Sequence, residues 1–168
     1  MGNASNLRYG DKVNYYEGVI VEVQDNSIAV DVLGRLGYFV IPKEFVIANA
    51  PLIVGQTVGW KMSFFEQLPE DITKEFTPGV ENPDKTVYLE GTVSYVEDCA
   101  VALIAKDNMG EYKSPKRMLI SDNEFEAGQT VGWNTSMFVQ LGPEVNEKYV
   151  SNLQTRERRA IEISSRNN

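Results

Sequence analysis

Short runs in which apolar and polar side chains alternate dominate the chain and predict β-strands. Residues 12–23 are rich in β-branched and aromatic side chains, and Glu22 stands there between apolar neighbours, as expected for a strand with one buried face. Polar residues then predict a turn, and the apolar residues beyond it predict the second arm of a hairpin. In the first part of the chain the predicted strands cover 12–23, 27–34, 37–42 and a last strand that runs through Trp60.

The same pattern occurs a second time further along the chain. The string VGQTVGW that ends at Trp60 matches AGQTVGW that ends at Trp133, and an offset of 73 residues aligns 11–68 with 84–141 without a gap. Self-similarity at a fixed spacing is the signature of a repeat architecture. We therefore expect a stub at 1–10, a first repeat at 11–77, a linker at 78–83, a second repeat at 84–150 and a C-terminal extension at 151–168.

The repeats predict a mainly β protein. Several short strands per unit, separated by turn signals, favour a small barrel or sandwich. Units of this size bury only about 60% of their unfolded surface, so we expect two tandem homologous β-barrels, OB-like or SH3-like, packed about a pseudo-twofold axis. Proline followed by acidic residues at Pro69 and Pro143 predicts a short helix after each barrel. The C-terminal extension is compatible with either a helix or a closing strand.

Composition and charge narrow the classes of function. The 168 residues are 42% hydrophobic and carry a net charge of -8. An acidic protein repels phosphate backbones, so nucleic acid is disfavoured as the partner. The chain has no histidine and one cysteine, Cys99, which removes histidine-based catalysis, thiolate clusters and intrachain disulfides. We expect no catalytic residue, no cofactor and no metal.

The sequence also predicts the cellular compartment of the protein. We find no targeting segment and no apolar run long enough to cross a bilayer, since about 20 apolar residues are needed. One unpaired cysteine suits a reducing compartment. We therefore expect a cytoplasmic protein without a membrane partner.

Aromatic residues are the first candidates for a binding surface. Trp60 and Trp133 occupy the duplicated string, where each could pack in the core or stand on the surface and stack a base, a sugar or a proline. Exposure decides between these two interpretations. Four further residues could line one exposed groove of an OB-like face: Tyr38, Phe39, Tyr112 and Lys113.

Basic residues near the C-terminus are a second candidate. Residues 143–168 carry five basic and four acidic side chains, among them Arg156, Arg158 and Arg159. Such a tail could pair with the acidic body of the protein, or it could dock an acidic partner or a symmetry mate.

The order of these signals resembles the OB-class RNA-binding repeat of ribosomal and exonuclease proteins. The matching strings are GVIVEV, IAVDV, LGYFVIP and VGQTVGW, and SH3-like barrels give similar patterns. The resemblance implies a small barrel that binds single-stranded nucleic acid. On the second strand, however, Ile28 to Val30 and Val101 to Leu103 stand where that family has an aromatic for stacking. The duplicated glycine and Pro-Lys stretches also look like small bacterial proteins with two such units, a similarity that implies no activity.

Three functions follow as hypotheses from different classes. The first is a non-catalytic interaction or assembly module whose partner is a protein, either another protein or a second copy in a homodimer. The alternative is single-stranded nucleic-acid binding through an OB-like face. The third is an enzyme that uses only carboxylates, tyrosine and lysine, which needs a pair of acids converging in one pocket.

Overall fold

The computed structural model describes residues 7–68 and 86–145, which form a mainly β structure. Within these ranges the helical segments are three 3₁₀ turns, at Lys43–Phe45, Lys106–Asn108 and Lys116–Met118. The strands are β1 (Asn14–Val23), β2 (Ser27–Val32), β3 (Gly37–Pro42), β4 (Val46–Ile47), β5 (Thr57–Met62), β6 (Phe65–Gln67), β7 (Val87–Val96), β8 (Ala100–Ala105), β9 (Glu111–Pro115), β10 (Leu119–Ile120), β11 (Thr130–Thr135) and β12 (Phe138–Gln140).

The strands β1 to β6 have the same spacing along the chain as β7 to β12. We call the sequence repeat that contains β1 to β6 the first copy and the one that contains β7 to β12 the second copy. The register of β1 on β2 shifts after Ile20, and the register of β7 on β8 shifts after Val93. These two bulges lie 73 residues apart. Each antiparallel pairing formed by β1, β2, β3 and β5 also has its counterpart among β7, β8, β9 and β11.

The strands join in one sheet, so the expectation of two separate closed barrels is wrong. The order across the sheet is β10-β6-β11-β7-β8-β9-β3-β2-β1-β5-β12-β4, and one further pair joins Met62 of β5 with Thr135 of β11. The two halves meet where β3 pairs with β9, in a junction that we call the seam. The physical reason is that β3 forms backbone hydrogen bonds with β9. It therefore does not pair with a further strand of its own copy to close a separate barrel.

The last strand of each copy completes the other copy's part of the sheet. β6 pairs with β11 and β10, whereas β12 pairs with β5 and β4. We call β6 and β12 the exchanged strands, and an equivalent glutamine hydrogen bond holds each of them. Gln140 Nε2 donates to Gln56 Oε1 at 3.0 Å, and Gln67 Nε2 donates to Gln129 Oε1 at 2.8 Å. The two halves are therefore interleaved.

Glycine permits the close approach of β3 and β9 at the seam. Gly37 and Gly110 have φ of 133° and 109°, a range that favours glycine. A Cβ at Gly37 would meet the carbonyl oxygen of Lys113, and one at Gly110 would meet that of Val40. Each glycine thus faces a strand of the opposite copy.

The core is a continuous cluster of aromatic rings that crosses from one half to the other. Phe65 and Phe138, which align at the 73-residue offset, are completely buried. Phe65 packs edge-on against Trp133 with ring centroids 4.8 Å apart, and Tyr112 packs against Trp133 at 5.2 Å. Phe39 of β3 contacts Tyr112 of β9 at 4.9 Å. The buried side of the sheet is therefore shared by both copies.

Several predicted elements fall outside the described residues. These are the helix after Pro69, most of the helix after Pro143, the linker and the C-terminal extension; the described residues 143–145 are not helical. None of the helices within 7–68 and 86–145 has the length and apolar character that crossing a bilayer requires.

Candidate interaction site

Four of the six predicted surface residues are buried. Trp60, Trp133, Phe39 and Tyr112 are at most 2% exposed, because their side chains point to the inner side of the sheet and fill the aromatic cluster. These four are core residues. For the two tryptophans the core interpretation is confirmed.

The other two predicted residues lie together on the outer side of the seam. Tyr38 of β3 and Lys113 of β9 are directly opposite each other in the ladder. Side chains at such positions share one face of a sheet and contact each other. The structure therefore brings together Tyr38 and Lys113, which belong to different copies.

Two rows of cross-strand neighbours cover this outer side. Each row crosses both copies and has a small alanine in it, Ala102 in the first and Ala29 in the second. The first row is Tyr95, Ala102, Lys113, Tyr38 and Asp31, and the second is Glu22, Ala29, Val40, Glu111 and Ile104.

A cavity of about 390 Å³ lies between the two rows on the second copy's side. We call it the seam groove; its walls include Tyr38, Val40, Tyr95, Ala102, Ile104, Glu111 and Lys113. Three of the large side chains in these walls are well exposed: Tyr38 by 40%, Tyr95 by 47% and Ile104 by 49%. Large apolar side chains gathered at one exposed place mark contact surfaces more often than scattered ones do.

Lys113 is held in place at one wall of the groove. Its Nζ donates to Glu97 Oε1 at 3.0 Å and stands 5.7 Å from the centroid of the Tyr95 ring. The hydrogen bond to Glu97 raises the pKa of Lys113, so the ammonium stays charged at neutral pH. A cation over the face of an aromatic ring is attracted to it, so Lys113 and Tyr95 favour this arrangement at the wall.

Carboxylates surround the groove and make its field negative. Burial raises the pKa of the Tyr38 hydroxyl, and the negative charges of Glu22 and Asp31 raise it further. Glu111 lies in the wall itself. Neutral tyrosine rings beside several carboxylates suit an apolar or cationic ligand better than a phosphate.

A second group of polar residues is buried beneath the N-terminal segment. Glu90 accepts hydrogen bonds from the Tyr88 hydroxyl at 2.9 Å and from Lys106 Nζ at 3.1 Å. Burial, the hydrogen bond to Glu90 and the charges of Glu90 and Glu66 all raise the pKa of Tyr88. Both oxygens of Glu90 are thus engaged within the protein, which argues for a structural role.

Glu66 fastens the N-terminal segment to the sheet. One of its oxygens accepts the amide of Arg8 at 2.7 Å and the other accepts the amide of Tyr9 at 3.0 Å. The side chain of Leu7 is buried beside them. At the matching position of the other copy stands Val139, so this carboxylate is no shared catalytic group.

Metal and thiol chemistry find little support in the described residues. Within 7–68 and 86–145 no three His, Cys, Asp or Glu side chains are grouped so that they could hold a metal ion. Cys99 is an exposed free thiol. The basic tail of Arg156, Arg158 and Arg159 lies outside the described residues, and its docking role stays a prediction.

Sequence reasoning missed much of the seam groove, above all Tyr95 and Ile104. The signal that could have found them is a difference between the copies at outward strand positions. Tyr95 aligns with Glu22, and Ile104 aligns with Asp31. An exposed apolar residue at a position where the other copy has an acid indicates a site that forms once in the chain and is not repeated in each copy.

Comparison with known proteins gives no family for this chain. No protein-family model matches it, and no curated protein matches it significantly. Its function is therefore inferred from the chemistry of the groove.

Proposed function

We propose that this chain is a non-catalytic interaction module that binds one protein partner at the seam groove. The observation that carries the proposal is the joint exposure of Tyr38, Tyr95 and Ile104 around one cavity. Aromatic side chains contribute much of the binding energy of protein interfaces. The module is cytoplasmic in this proposal.

We also propose that the groove arose when one unit was duplicated in tandem. The matched strand bounds and the 73-residue offset support two copies of one unit about a pseudo-twofold axis. Glu22 and Asp31 stand at the positions equivalent to Tyr95 and Ile104, so the first copy's side lacks these two walls and a chain has one such site. We expect a stoichiometry of one partner per chain.

Nucleic acid is the competing ligand for the same groove. Tyr38, Tyr95 and Lys113 provide aromatic rings and a cation, which are the elements of single-strand binding. Against this, Lys113 is already paired with Glu97, and Glu111 stands in the wall. The negative charge favours the protein partner.

Site-directed photocrosslinking tests the proposal. A photoreactive amino acid replaces Ile104 in the groove or, as a control, Leu141, which is similarly exposed at 47% but lies outside the groove walls. The protein captured from position 104 is then purified and its affinity for the wild-type chain is measured. We expect Ile104→Asp to weaken this affinity at least about tenfold, and Leu141→Asp to leave it unchanged.

Two results would refute the proposed function. One is a captured partner whose affinity is the same for the wild-type chain and Ile104→Asp. The other is salt-sensitive binding of a labelled single-stranded oligonucleotide that Ile104→Asp abolishes, since this would assign the groove to nucleic acid.

A further inference from the structure

The seam groove continues into a cavity on either side. A larger cavity of about 780 Å³ shares the walls formed by Val40, Ile104 and Glu111, and a smaller one of about 330 Å³ shares those formed by Tyr38 and Lys113. Adjacent cavities with common walls form one trough across the outer side of the sheet. A trough of this kind fits an extended chain better than a small compact ligand.

The backbone of the sheet is closed to such a chain. β3 pairs with β2 and β9, and β9 pairs with β8 and β3. Neither strand has a free edge beside the trough, so a ligand cannot add to the sheet as another strand. Recognition must therefore use the side chains of the trough.

The charges of the trough differ from one end to the other. The larger cavity has three carboxylates in its walls, Asp25, Glu44 and Glu111, against the single cation Lys43. At the opposite end Arg35 and Lys113 stand against Asp31.

The apolar part of the trough lies between these two ends. Tyr38, Tyr95, Val40 and Ile104 all belong to the walls of the middle cavity. A complementary ligand therefore has cationic side chains at one end and an apolar side chain next to them.

Building on the proposed function, we infer that the trough binds an extended segment of a partner protein with one or more Lys or Arg residues at one end. These cations lie against Asp25, Glu44 and Glu111, and an aliphatic or aromatic side chain of the segment packs against Tyr95 and Ile104. The segment runs along the seam toward Arg35.

Selection from a phage-displayed library of random dodecapeptides tests this inference. The library is selected on the full wild-type chain and depleted on Ile104→Asp. We expect enriched peptides to carry Lys or Arg near one end and an aliphatic or aromatic residue a few positions away. A fluorescein-labelled synthetic copy of the strongest binder is then titrated with each variant.

The titration has defined outcomes. Glu111→Lys and Ile104→Asp should each weaken binding at least about tenfold, whereas Leu141→Asp should not change it. Glu111 is exposed, so its substitution leaves the core intact. The inference is overturned by enrichment of acidic peptides, by no enrichment, or by equal binding to Glu111→Lys and the wild-type chain.

Two further measurements separate this inference from the proposed function. A crosslinked partner that needs Ile104 but binds Glu111→Lys normally would retain the proposed function and refute the basic segment. Dimers in sedimentation velocity that Ile104→Asp dissociates would make a second copy the occupant and refute both the basic segment and the distinct partner.

Discussion

The indole ring of Trp60 stacks on the phenyl ring of Phe138, with centroids 4.2 Å apart and planes inclined by 23°. Trp60 lies in β5 of the first copy and Phe138 in β12 of the second. The aligned residues Phe65 and Trp133 form the reciprocal contact at 4.8 Å. The exchanged strands thus place one aromatic ring of each copy in the core of the other.

Phe138→Ala should destabilise the whole protein by about 3–5 kcal/mol, because a buried phenyl ring leaves a cavity when it is removed. Urea denaturation followed by tryptophan fluorescence measures this change. Leu141→Ala, at an exposed position three residues further along the chain, is the control and should change stability by less than about 0.5 kcal/mol. A loss for Phe138→Ala as small as that of the control would show that β12 does not pack on Trp60.

Gly110→Ala should destabilise the seam through both strain and collision. Its positive φ is unfavourable for alanine, at about 1–3 kcal/mol, and the new methyl group would meet the carbonyl oxygen of Val40. Gly128 has a similar φ of 93° but open space around it, so Gly128→Ala carries the strain without the collision. In thermal unfolding, the melting temperature of Gly110→Ala should be clearly lower than that of Gly128→Ala. Equal melting temperatures would contradict the close approach of β3 and β9.

Glu66→Ala should release the N-terminal segment, since it removes the acceptors of two part-buried backbone amides. We expect a loss of about 1–3 kcal/mol and faster hydrogen exchange at the amides of Arg8 and Tyr9. Glu66→Gln keeps one acceptor and should show a smaller effect. Unchanged exchange at both amides in Glu66→Ala would refute this role of the carboxylate.

Stability should fall at alkaline pH because of Tyr112. Burial raises the pKa of its hydroxyl, which donates to the Met109 carbonyl at 2.8 Å. The unfolded state therefore loses this proton first, so the contribution is complete below pH 10 and declines above it.

The matched variant Tyr112→Phe isolates this contribution. Between about pH 10 and about pH 11 the wild-type chain should lose about 1 kcal/mol more than Tyr112→Phe. Tyr9→Phe, at an exposed tyrosine, should behave like the wild-type chain. If Tyr112→Phe loses as much stability as the wild-type chain over this range, Tyr112 does not carry the effect.

Strand positions could be predicted from sequence because alternation is a local property. Glu22, for example, stands outward between apolar neighbours, and β1 ends one residue later at Val23. The exchange of β6 and β12 could not be predicted in this way. A strand of three residues carries little pattern, and the two copies offer Phe65 equivalent partners in Trp60 and Trp133.

The binding site was predictable only in part for a similar reason. Tyr38 and Lys113 stood out as an aromatic and a cation at the edges of predicted strands. Phe39 and Tyr112 are their neighbours in sequence but point to the core, because successive side chains of a strand alternate between faces. Which face is outward depends on the seam, and the seam is a contact between distant parts of the chain.

The most direct test of the interaction module is an amide NMR titration of the full chain with the basic peptide obtained by selection. Binding at the seam groove should shift the amide signals of Tyr38, Tyr95, Ile104 and Lys113, with saturation at one peptide per chain. The amide signals of Leu7 to Gly10 should not shift, because this segment lies over the buried Glu66 and away from the groove. Shifts confined to that segment, with an unchanged seam, would contradict the account.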